Sequence, residues 1–231
     1  MRDKTGMNSK PVVFLACKVF EGIVSTPDSA QVSYLDYGLH SVPKQLRQAV
    51  QEQINAIEEP SLIILGYGLC GNGLHEIEAG RHTLVVPKVD DCVSIFMGSR
   101  KQYLEQFRQN PGTYYLTKGW FEVGSDPLSE YENYREKYGQ ETADWLMKTQ
   151  YQHYKRLVFV ALNEQDLTNY RPRALQVAAF CQQFGMEYEE QLGDGALIQQ
   201  IDAALRSPEE TGGEFIVVRP GERLSQEQFL L

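Results

Sequence analysis

Uninterrupted apolar runs recur along the chain: Val12 to Ala16, Ser61 to Leu65, Thr83 to Val86, Thr113 to Leu116, Leu157 to Leu162 and Phe215 to Val218. A strand with one face in water alternates apolar with polar, so continuous runs predict strands covered on both faces. Between them lie helical patterns. Pro43 suits a first helical turn, and Leu46, Val50, Ile54 and Ile57 recur at helical spacing before Glu59-Pro60. Ser99 with Gln102 has the form of a capping box opening a helix through Phe107. Pro172 to Phe184 and Leu197 to Leu205 read as further helices, and Gln31 to Leu35 and Met186 to Glu190 as short strands. The alternation predicts an α/β fold with a mostly parallel, Rossmann-like sheet flanked by helices on both faces. Residues 1–10 read as a polar leader, and 11–231 as one domain with a charged helical insertion at about 126–154, split at Gly139.

Charge narrows the partners. Thirty-one acidic against 22 basic residues give a net charge of -9, and no Lys/Arg run makes a phosphate-tracking stripe. Nucleic acid and anionic membrane are not expected, and no apolar stretch approaches membrane-spanning length. The expectation is a cytoplasmic protein, whose four cysteines in a reducing compartment would be metal ligands, catalytic groups or buried small hydrophobes.

The candidate chemistry centres on Gly66-Tyr67-Gly68-Leu69-Cys70-Gly71-Asn72-Gly73, directly after the Ser61 to Leu65 strand. Glycines let a backbone turn sharply and approach a neighbour closely. Cys17 ends the first strand, Cys70 sits in this loop, and Cys92 follows the Thr83 strand by a few residues. Ligands of open α/β sheets bind beyond the carboxyl ends of strands. If the three strands are adjacent and parallel, about 5 Å apart, their thiols fall within about 10 Å of one another. That predicts a three-cysteine centre for zinc or an iron-sulfur cluster, with His40 as a fourth ligand or proton carrier and Asp91 orienting from behind. Cys181, in an apolar helical stretch, reads as core. His75 and His82, flanking a short helix at His75 to Ala79, read as surface groups.

A competing reading takes Gly66 to Gly71 as a dinucleotide fingerprint, with Gly68, Gly71, Asn72 and Gly73 cradling phosphate and Asp91 at ribose distance. Barely a turn and a half of helix fits before Gly80, where the fingerprint needs a full one. Ser99 and Arg100 offer a second anion site at a helix start, and Trp120 a pocket wall. No Ser/His/Asp arrangement, H-E-x-x-H or Walker sequence is present.

Ala16-Cys17, Tyr37-Gly38-Leu39-His40, the Gly66 to Gly73 run, Pro87 with Asp91-Cys92, Gly98-Ser99 and Leu116-Thr117 with Gly119-Trp120 together resemble an uncharacterised family, domain of unknown function 1638, of methanogens and anaerobic bacteria. The resemblance covers about Val12 to Trp120 and carries no established activity. It implies a neighbourhood of corrinoid-dependent methyl transfer, hence a metal-dependent transferase acting with a small-molecule substrate or a corrinoid or methyltransferase protein. A non-catalytic metal carrier is the other class left open.

Overall fold

The computed structural model describes residues 10–207 and 213–230, so most of the expected leader lies outside the described residues. The first sheet has the order β2-β1-β3-β4-β8, built from β1 (Val12–Cys17), β2 (Gln31–Leu35), β3 (Leu62–Gly66), β4 (Thr83–Pro87) and β8 (Phe215–Val218). The first four strands are parallel, and β8 pairs antiparallel with β4. Helix α1 (Pro43–Ala56) crosses from β2 over to β3 and buries Leu46, Val50 and Ile54. β3 is buried at every position, as its apolar sequence requires of a strand covered on both faces.

The remaining strands do not extend this sheet. β8 occupies the outer side of β4, so β5 (Thr113–Thr117), β6 (Arg156–Ala161) and β7 (Glu187–Leu192) form a separate parallel sheet. Tyr115, Val158 and Val160 join the core of the first sheet, whereas Leu116, Leu157 and Phe159 belong to a second core. The second sheet therefore stands between two cores. Its far side is covered by α5 (Pro127–Tyr138), α6 (Gln140–Tyr151) and α7 (Glu164–Cys181), and Gly139 at φ 80° separates the first two of these helices. α8 (Ala196–Arg206) lies against β1 and β3, and α9 (Glu227–Leu230) ends the described chain.

Three local expectations are corrected. Residues 75–79 form a turn followed by an isolated bridge from Glu78 to Arg223 rather than a helix, because Glu76 (φ 66°) leaves the helical region and the backbone bonds outward. Glu76 N–H donates to Leu224 O, Ala79 N–H to Glu222 O, and Leu224 N–H to Ile77 O. His82 is buried rather than on the surface. Its Nδ1 accepts from the Ser61 N–H at 3.2 Å, and burial holds its pKa below the ordinary imidazole value. Helix α7 also starts eight residues before Pro172, at an Asn163 cap that accepts from Asp166 N–H. Pro172 is tolerated because it and Thr168, whose carbonyl loses its partner, face water.

Candidate metal and ligand site

Cys17 is the last residue of β1, Cys70 lies in the loop leaving β3, and Cys92 is the first residue of α2 (Cys92–Phe96), just beyond β4. Since β1, β3 and β4 are parallel neighbours, their carboxyl ends share one rim. Leu69 N–H donates to Val89 O and Cys70 N–H to Asp90 O, both at 2.9 Å, which ties the glycine loop to the segment carrying Cys92. Gly68 makes this approach possible, since a Cβ there would stand 2.7 Å from the Asp91 nitrogen. Cys70 (φ 47°) and Asn72 (φ 71°) adopt the left-handed region, a strain that side-chain-bearing residues accept only when the surroundings enforce it.

Two of the three thiols meet, Cys70 Sγ standing 3.7 Å from Cys92 Sγ, and Cys17 lines the same cavity. All three residues are at most 9% exposed. The Cys92 hydrogen bond holds the Cys17 pKa below the ordinary thiol value, although burial opposes it. Cys92 moves the other way, pushed well up first by its bond to Cys17, then by Cys70 and burial. Of these two thiols, Cys17 is the better placed to lose its proton. Among the described residues no group of three or more His, Cys, Asp and Glu side chains is arranged so that it could hold a metal ion, so a centre at the three thiols requires their side chains to move.

The thiols line a cavity of about 380 Å³ between the first sheet's rim and the edge of the second sheet. Tyr114 and Tyr115 both line it, although consecutive strand residues point to opposite faces, so the cavity wraps the outer edge of β5. Asp91 caps α2, its Oδ1 accepting from Ser94 N–H at 3.0 Å, and burial raises its pKa despite that bond and one from the Tyr103 hydroxyl. The Tyr67 hydroxyl, in a residue 2% exposed that lines the cavity, has no hydrogen-bond partner among the described residues. Burial first and the neighbouring thiols second hold its pKa far above the ordinary phenol value. A buried, unpaired hydroxyl is costly, about 1–3 kcal/mol, unless a ligand satisfies it.

The expected site residues divide. Trp120, on α4 (Lys118–Glu122), walls the cavity and meets Phe96 edge to face at 6.3 Å. His40 lines it from an exposed position, its ring Nδ1 bonded to the Tyr37 carbonyl. Gly71 also lines it, but Gly73 packs on Leu46 and the Asn72 carbonyl accepts from Arg47. No helix directly follows these glycines among the described residues, and Gly68 and Gly73 stand in close contact with neighbouring segments. Ser99 accepts from Gln102 N–H at 3.2 Å, as the start of α3 (Arg100–Gln109). Arg100 is held by Asp90 at 2.9 and 3.3 Å, so its charge is already matched. The sequence reading assigned no role to Tyr67 or Tyr103. Their one visible mark was position, Tyr67 standing immediately beyond a buried strand where ligands bind.

Neither the curated proteins nor the solved structures yield a match to this chain. The model of one family matches residues 34–201, which include Cys70, Cys92, His40 and Trp120, and the chain belongs to that family, described as Protein of unknown function (DUF1638).

Proposed function

We propose that the protein binds a thiophilic metal, zinc or an iron-sulfur cluster, through Cys17, Cys70 and Cys92, and presents it to a small molecule in the adjoining cavity. The observation that carries this reading is the 3.7 Å separation of Cys70 and Cys92 sulfurs from different segments. Two thiolates on one tetrahedral zinc, each at about 2.3 Å, stand about 3.8 Å apart. Binding replaces the sulfur hydrogen bonds and releases their protons, so affinity rises with pH. His40 sits at the mouth rather than with the thiols, which leaves the fourth position to water or substrate. A three-ligand centre of this kind activates a bound water, thiol or carboxylate, and methyl transfer to a metal-held thiolate is one such reaction.

A metal-free reading draws on the lowered pKa of Cys17, which favours a nucleophilic thiolate. Protein purified without oxygen separates the two. The metal reading expects about one zinc, or iron with sulfide, per chain, lost in Cys70→Ser and Cys92→Ser. A metal-free sample that also fails to take up Co²⁺ with a thiolate charge-transfer band would overturn it, and rapid alkylation of Cys17 in that sample would support the nucleophile.

A further inference from the structure

The composition of the cavity wall goes beyond the thiols. Eight of its twenty lining residues are aromatic, two, Asp36 and Asp91, are carboxylates, and none is Lys or Arg. Tyr103 stands 6.2 Å from Phe107 and 6.3 Å from Tyr115, centroid to centroid, so these rings form one continuous patch. Trp120 lines the same cavity. Aromatic faces carry negative potential and attract cations, most strongly when the site is desolvated. The neighbouring guanidiniums lie outside the wall and are already paired, Arg100 with Asp90 and Arg156, which donates to the lining Thr113 at 3.2 Å, with Glu189. A bound anion would meet two acidic side chains and no unpaired Lys or Arg in the wall, while the chain's net -9 draws cations toward it.

A second observation sharpens the ligand. The Tyr67 hydroxyl is buried in this wall without a partner, and a bare alkylammonium offers it nothing to donate to. A ligand with a short oxygen-bearing arm does.

From these features we infer that the cavity binds a small N-methylated ammonium alcohol, with its cationic head against the aromatic and carboxylate wall and its oxygen accepting from Tyr67. The inference rests on the wall and not on the metal, so either can fail alone.

Choline is the probe, with 3,3-dimethylbutan-1-ol as its uncharged isostere and tetramethylammonium as the cation lacking the arm. Titration calorimetry at low salt is expected to give choline an affinity about ten-fold or more above the isostere, the scale of a desolvated cation–aromatic contact. Trp120→Leu weakens choline and tetramethylammonium together. Tyr67→Phe weakens choline several-fold and leaves tetramethylammonium unchanged, and loss of an unpaired hydroxyl leaves the fold at least as stable. Equal binding of the isostere, preference for acetate, or no cation binding up to about 10 mM overturns the inference. Metal analysis of the same samples shows whether the thiol centre is intact.

Discussion

The strand-end thiols and Cys181 are all buried, yet their surroundings set them apart. Cys181, at the end of α7, packs in the second core and does not line the thiol cavity. Burial pushes its pKa up to about 12. Cys17 has comparable burial, but a neighbouring thiol donates to it and its pKa moves down. Burial alone makes a cysteine inert. A partner sulfur and an adjoining cavity make it chemistry.

The contrast is sharpest when one region is broken and the other is watched. In the second core, Asp126 has a side chain 1% exposed, caps α5 through Leu128 and Ser129 N–H, and accepts from Arg173 at 2.9 to 3.2 Å. Asp126→Ala removes the cap and orphans the arginine, a loss of about 3–5 kcal/mol by denaturant titration, with metal content per folded chain unchanged. At the rim, Gly68→Ala forces its Cβ into the Asp91 backbone. It is expected to cost about 2–3 kcal/mol and, unlike Asp126→Ala, to lower metal content, because the strand-end loop can no longer hold Cys70 beside Cys92.

Alkaline pH separates the thiols by sign. The unfolded Cys181 thiol ionises near 9.0 and the folded one near 12, so the unfolded state sheds its proton first and stability falls as pH rises from about 9. The loss from this residue is about 1.4 kcal/mol per pH unit over that window. Cys181→Ala flattens this part of the curve. Cys17, with its folded pKa lowered, contributes the opposite slope: its stabilisation is present above the unfolded thiol value and is lost as pH falls through the folded one. An unchanged alkaline slope in Cys181→Ala would erase the contrast. The smallest effect is expected at Ser99, whose hydroxyl caps the start of α3 by accepting from Gln102 N–H. Ser99→Ala should cost about 1 kcal/mol in thermal melts and leave metal content alone.

What the sequence revealed follows the range of the interactions involved. Continuous apolar runs located the strands, and strand-end position put Cys17, Cys70 and Cys92 along one cavity wall, because parallel neighbours share an edge. The division into two sheets was hidden, since the antiparallel pairing of β8 on β4 leaves no mark in either strand's composition. The same holds for Arg100, whose partner Asp90 follows from the path of the chain between them, and for the missing helix after Gly73, where the backbone bonds to residues 222–224. His82 read as polar and therefore exposed; the Ser61 amide makes its burial tolerable. Tyr67 was unreadable for a different reason. An unpaired hydroxyl becomes visible only when every neighbour is in place.

X-ray absorption at the metal edge of anaerobically loaded protein tests the three-thiol centre most directly. The account expects three protein sulfurs in the first coordination sphere, at about 2.3 Å for zinc, falling to two in Cys70→Ser. A sphere of nitrogen and oxygen alone, or one unchanged by that substitution, would contradict it.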